Sequence, residues 1–153
     1  NVFSGYWQMP EKTQEEFTPD GFFRTGDMGR FDADGYLAII GRDKDLIISG
    51  GLNVYPKEIE EAIDALPGVA ESAVIGLPHP DFGEAVTAVV VRGRDASGLT
   101  AEGIIAALKG NIAGFKVPKA VHFVDDLPRN TMGKVQKNRL RERFGDAGKS
   151  QSP

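Results

Sequence analysis

Cysteine is absent from these 153 residues, which excludes disulfide frameworks, thiolate metal sites and cysteine nucleophiles. A reducing cytoplasm is compatible with that and is the expected location. Histidine is nearly as scarce: His79 and His122 stand alone, so no histidine-rich zinc site is expected and no residue is assigned to a metal. Apolar stretches such as Ala85–Val91 fall far short of the ~20 residues that cross a bilayer, so no membrane partner is expected. Asn1–Pro10 contains no initiator Met and no basic segment followed by an apolar one, and reads as the interior of a longer chain rather than as a signal peptide.

What is present suffices for a folded core, with 41% hydrophobic residues. The net charge of −4 conceals an asymmetry, because residues 1–115 hold 9 basic and 18 acidic side chains and residues 116–143 hold 8 basic and 3 acidic. Such a local positive field suits nucleic acid, a membrane surface or a phosphorylated ligand, or is simply a solvated face. No aromatic interleaving or nucleic-acid motif accompanies it, so nucleic acid is not an expected partner.

The turn signal Asp32-Ala33-Asp34-Gly35 precedes the apolar run Leu37–Gly41, and Leu46–Ile48 follows soon after, a pattern that predicts a small hairpin between the two runs. Pro56 suits the first position of a helix whose Ile59, Ala62, Ile63 and Leu66 share a face, and Pro67-Gly68 ends it. Val69–Leu77 and Ala85–Val91 read as adjacent strands, Thr100 as the cap of a second helix carrying Ile104, Ile105, Leu108 and Ile112, and Val121–Val124 as a third strand. A polar loop, Pro128–Gly133, leads into a basic helix over Lys134–Phe144. This order predicts an α+β fold: a small three-stranded sheet flanked by helices, plus an N-terminal β-hairpin. The aromatic-rich, turn-rich residues before it read as the end of a preceding larger domain. The expected division is 1–43 for that end, 44–145 for the α+β domain and 146–153 for a disordered tail.

Three segments carry candidate chemistry. Phe23-Arg24-Thr25-Gly26-Asp27 is a short turn that aims a carboxylate outwards, where it can accept hydrogen bonds from vicinal hydroxyls, although Asp in such turns commonly just caps its own backbone. Gly41-Arg42-Asp43-Lys44-Asp45 leads to Ser49-Gly50-Gly51-Leu52-Asn53-Val54, where two adjacent glycines allow a close backbone approach to a ligand or simply connect two elements. Leu127-Pro128-Arg129-Asn130-Thr131-Met132-Gly133-Lys134 is not a Walker phosphate loop, since Pro128 and Val135 occupy the places of its first Gly and its Ser or Thr. It leaves a lysine on a flexible, glycine-flanked loop.

In this order the three segments resemble the last three signature regions of the acyl- and aryl-CoA synthetases, members of the adenylate-forming superfamily that includes luciferases and adenylation domains. Tyr6-Trp7-Gln8-Met9-Pro10-Glu11-Lys12-Thr13 and Ser49–Glu58 are most similar to malonyl-CoA synthetases. The resemblance implies an ATP-dependent acid-thiol ligase that converts a small carboxylate first to an acyl-adenylate, releasing AMP when CoA takes the acyl group, with Mg2+ accompanying the ATP. It implies that Lys134 is the adenylation lysine, that Asp27 and Arg42 contact the nucleotide, that Lys44 is the hinge of a swinging lid, and that Gly50 and Gly51 line the pantetheine tunnel. Lys116, Lys119 and Arg129 are candidates for CoA phosphates on charge alone. It also implies that the phosphate loop and acyl pocket lie in a large N-terminal domain outside this sequence, so the fragment alone is expected to be inactive. Two alternatives stay open: a module presenting Lys134 for acetylation by a protein lysine acetyltransferase and removal by a deacetylase, and an adenylation domain serving a carrier protein.

Overall fold

The structure is a computed structural model that describes residues 2–145, so the tail expected over 146–153 lies outside the described residues. The chain divides into two compact units, Asn1–Lys44 and Asp45–Pro153.

In the first unit a short helix, α1 (Pro10–Glu16), opens on a proline whose missing N–H is no loss at a helix start. Thr13 of α1 accepts the Tyr6 N–H at 2.9 Å and donates to the Met9 carbonyl at 2.9 Å, which folds the preceding residues back along the helix. Phe3 meets Tyr6, Phe17 and Phe23 edge-on at centroid separations of 5.0, 5.7 and 5.2 Å, a favourable geometry for ring quadrupoles. The hairpin that follows pairs β1 (Asp27–Phe31) antiparallel with β2 (Leu37–Arg42). Its turn is closed by the Asp32 carboxylate, which accepts the N–H groups of Asp34 and Tyr36 at 3.0 and 2.8 Å. This corrects the expected pairing: Leu37–Gly41 turns back on the residues before it, not on Leu46–Ile48.

Ile47 and Ile48 belong instead to the second unit, in a tight hairpin of β3 (Ile47–Ser49) and β4 (Leu52–Val54). Then come α2 (Pro56–Asp64), β5 (Val69–His79), β6 (Gly83–Arg92), α3 (Ala101–Lys109), β7 (Ala120–Val124) and α4 (Lys137–Gly145). The α+β class holds, and the sheet has five strands because the small hairpin joins it through Ser49 opposite Gly83. β5 and β6 run antiparallel over almost their whole length, and β7 lies parallel to β6.

Both faces of the sheet are covered. Val74, Val86, Ala88 and Val90 pack with Ile59 and Ile63 of α2 and with Ile104 and Leu108 of α3, whereas Ala73, Ile75 and Val89 pack with Leu127 and with Leu140 of α4. Alternate residues of one strand therefore enter different cores, and both sets must be apolar. That is why the sequence shows continuous apolar runs instead of alternation. Thr100 caps α3 by accepting the Gly103 N–H at 3.1 Å. No helix among the described residues is long and apolar enough to cross a membrane.

Candidate active-site elements

The first element lies at the open end of the β1–β2 hairpin. Asp27 begins β1, Arg42 ends β2, and the two are cross-strand partners. Their side chains meet with Arg42 Nε 2.7 Å from Asp27 Oδ1. Gly26 precedes them with a φ of +69°, a conformation that glycine adopts at least cost, and its carbonyl accepts the Asp43 N–H at 3.0 Å. The ion pair engages one carboxylate oxygen and one guanidinium nitrogen. Asp27 has a second oxygen, and Arg42 two further nitrogens, with which to meet a hydroxyl-bearing, negatively charged ligand.

Lys44 sits in a single 3-10 turn, Asp43–Asp45, where the two units join. The residue after it is anchored, because Asp45 Oδ1 lies 3.3 Å from Arg141 Nη2 on α4. The Gly50-Gly51 pair forms the β3–β4 turn, with both φ angles in the left-handed region at +58° and +78°. Gly50 donates its N–H to the Phe82 carbonyl at 2.8 Å. Nothing stands within 4 Å of the place where a Cβ on Gly51 would lie, so this turn presents bare backbone to open space.

Lys134 occupies the third element, where the expected loop is folded into a hydrogen-bonded turn. Gly133 donates to the Asn130 carbonyl at 2.9 Å across Asn130-Thr131-Met132-Gly133, with Gly133 at a φ of +79°. Asn at the first position and Gly at the fourth is the expected chemistry of such a turn. The Asn130 side chain accepts the N–H groups of Met132 and Lys134 at 3.0 and 2.9 Å, and the Asn130 N–H donates to the Lys134 carbonyl at 2.9 Å. Arg129 donates to the Gly133 carbonyl at 2.8 Å and also holds Glu71 of β5 in an ion pair. Gln136 returns to the Pro128 carbonyl at 2.7 Å, which delays the start of α4 to Lys137, three residues later than expected. Asn130 and Glu71 were not singled out from the sequence; the Asn-x-x-Gly spacing was the available sign of the turn.

Lys134 itself is exposed, and no hydrogen bond or ion pair to its ammonium is present among the described residues. Its neighbours in the basic stretch differ. Lys116 is bound to Glu58 at 2.7 Å, Lys137 to Glu60 at 2.6 Å, and Arg129 and Arg141 to Glu71 and Asp45. Lys119 lies over the Phe82 ring at 5.0 Å. The cations expected to face phosphates on charge alone therefore already have partners. Among the described residues, two groups outside the three elements are shifted from their ordinary values. Burial raises the Asp64 carboxyl, opposed by a hydrogen bond from Ser72 and aided by the charges of Glu60 and Glu71, and burial lowers the His122 imidazole, which stacks on Phe144 at 4.5 Å.

Comparison with known proteins gives a consistent picture. Residues 58–134 match the protein family described as AMP-binding enzyme C-terminal domain. The sequence is 47% identical over 145 residues to a feruloyl-CoA synthase of an Amycolatopsis species, covering 95% of this chain and 29% of that protein. It superposes on crystalline ATP-bound MatB from Rhodopseudomonas palustris with a TM-score of 0.88 and 63% identity, covering 96% of this chain and 29% of the other. The o-succinylbenzoate CoA synthetase of Bacillus subtilis, solved with an acyl-adenylate, superposes with a TM-score of 0.85 at 33% identity, covering 92% of this chain and 28% of that one. The chain thus spans under a third of the length of these relatives.

Proposed function

The chain belongs to the family of AMP-binding enzyme C-terminal domains, and from that premise we propose that it is the mobile domain of an AMP-forming acyl-CoA synthetase that acts through Lys134. The observation that carries this reading is an exposed ammonium with no partner among the described residues, held on a hydrogen-bonded turn, in a stretch where Lys116, Arg129, Lys137 and Arg141 are each paired with a carboxylate.

In the first half-reaction a carboxylate oxygen attacks the α-phosphate of ATP and pyrophosphate leaves. Negative charge is shared between the attacking oxygen and the phosphate, and the compact Lys134 ammonium stabilises it without transferring a proton. In the second, the CoA thiol displaces AMP from the acyl carbon. Asp27 accepts from the ribose hydroxyls and Arg42 supplies a second contact to the ribose and phosphate. Lys44 is the hinge about which the domain turns between the two steps. The bare Gly50-Gly51 backbone leaves room for the pantetheine arm. Among the described residues no group of three or more acids or histidines is placed to hold a metal, so no step proposed for this chain runs through Mg2+.

Malonate is the proposed acid, supported by the resemblance of Tyr6–Thr13 and Ser49–Glu58 to malonyl-CoA synthetases. The acyl-binding residues lie elsewhere, and relatives named for feruloyl and long-chain fatty acids match this region at 47% and 48% identity. No contact or similarity favours the acetylation-substrate or carrier-protein reading. The test is ATP-dependent thioester formation by the full-length protein with malonate, methylmalonate and acetate, comparing wild type with Lys134→Ala. The variant should lose adenylation by about 10²- to 10³-fold, as loss of a preorganised charge-stabilising group does. It should still convert supplied acyl-adenylate to thioester. Undiminished adenylation would overturn the assignment, and a preference for another acid would remove malonate while leaving the mechanism.

A further inference from the structure

Lys134 makes its two backbone hydrogen bonds to one residue. Its N–H donates to Asn130 Oδ1 at 2.9 Å and its carbonyl accepts the Asn130 N–H at 2.9 Å. The same Oδ1 accepts the Met132 N–H at 3.0 Å, and the Asn130 carbonyl accepts the Gly133 N–H at 2.9 Å. Arg129 ties the turn to the sheet, spanning from the Gly133 carbonyl to Glu71 on β5. Asn130 is exposed and contributes no apolar surface to either core, so these polar contacts are its visible work.

We propose that Asn130 is a positioning residue for adenylation: its side-chain oxygen fixes the backbone from which the Lys134 ammonium is delivered, with Arg129 bracing that turn against β5. This rests on the reading of Lys134 as the adenylation lysine. A long, flexible lysine side chain acts on a developing charge only if its base is fixed, because misplacement by about 1 Å costs on the order of 10²-fold in rate. Acceptance of two backbone N–H groups by one Oδ1 is a role that aspartate shares and alanine does not.

The experiment measures both half-reactions in the full-length protein for Asn130→Ala, Asn130→Asp and Lys134→Ala. Asn130→Ala should slow adenylate formation by about 10- to 100-fold through kcat, with KM for ATP and carboxylate unchanged and thioester formation from supplied adenylate intact. Asn130→Asp should recover most of that loss. The intact second half-reaction certifies that the alanine variant is folded. Equal losses in both half-reactions, or a change confined to KM, would reduce Asn130 to a structural or binding role and overturn the proposal. So would full adenylation by Asn130→Ala alongside an inactive Lys134→Ala. Full adenylation by Lys134→Ala would instead sink the reading on which the proposal stands, and the proposal with it.

Discussion

Replacing Gly51 separates two effects that are usually entangled, backbone strain and side-chain bulk. Its φ of +78° lies where any L side chain is strained, at a cost of about 1–2 kcal/mol. Yet no atom stands within 4 Å of a Cβ built there, so alanine meets no clash within this turn. Gly51→Ala should therefore destabilise the fold by that strain alone, and equilibrium unfolding of Gly51→Leu measures what its longer side chain adds. If the open space is the passage for the pantetheine arm, leucine alone fills it. Forcing extra methylenes into an occupied passage costs about 1–3 kcal/mol, which corresponds to a slowing of roughly 5- to 150-fold. Pyrophosphate release reports adenylation, and acyl transfer from supplied acyl-adenylate reports the second step. Leucine should spare the first and slow the second, with alanine close to wild type in both once stability is allowed for. Equal losses in the two half-reactions, or identical behaviour of alanine and leucine, would refute the placement of Gly51 beside the thiol arm.

Asp27→Ala should raise KM for ATP by about tenfold or more, the scale of a hydrogen bond to a charged group, while equilibrium unfolding changes by less than about 1 kcal/mol because its partner Arg42 is about half exposed. Leu140→Ala should cost about 2–5 kcal/mol in urea unfolding, since Leu140 is fully buried beneath the sheet among Ala73, Ile75, Val89 and Leu127. His122 should make the domain acid-sensitive. Its folded pKa lies below the usual 6.5, so the unfolded chain binds more protons between the two values and stability is lost as pH falls from about 6.5. A His122→Phe variant keeps a ring against Phe144 and should flatten that dependence in urea titrations at pH 7 and pH 5; parallel curves would exclude the imidazole as the cause.

The parts of the fold that could be read from the sequence are those where burial and punctuation agree. Pro56 and Pro67-Gly68 bracket α2, and β5 and β6 announce themselves as β-branched runs because both their faces are covered. The misread pairing has a physical cause. Leu37, Ile39, Ile48 and Leu52 are apolar yet more than two-fifths exposed, so their hydrophobicity marks no shared core and gives no register. β1 was hidden for a related reason, since its Met28/Gly29 bulge and Arg30 interrupt any alternation. The candidate site residues were legible only as an ordered set of motifs. Lone residues such as Asp27 or Lys134 carry too little pattern to be told from a capping aspartate or a surface lysine, and the contacts that distinguish Asn130 depend on side-chain orientation that spacing does not encode.

An ordered turn under Lys134 changes what a delivery motion has to be. Lys134 is hydrogen-bonded to Asn130, its turn is braced through Arg129 to β5, and three residues later α4 begins with Lys137 held by Glu60, whose carboxylate also accepts the Val74 N–H at 2.7 Å. Further along α4, Leu140 is sealed beneath the sheet and Arg141 holds Asp45, the residue that follows the proposed hinge. Moving the lysine by loosening its loop would break these contacts one after another, each worth on the order of 1 kcal/mol and several acting together. Turning the whole unit about Lys44 breaks none of them. If the lysine serves adenylation and then withdraws, the economical movement is rigid-body rotation, with the change in backbone dihedrals concentrated in the Asp43–Asp45 turn. Restricting that turn with Lys44→Pro should therefore uncouple the half-reactions. Each should proceed when its own substrates are supplied to enzyme trapped in the matching orientation, while the coupled reaction slows, and a coupled rate equal to wild type would place the movement elsewhere.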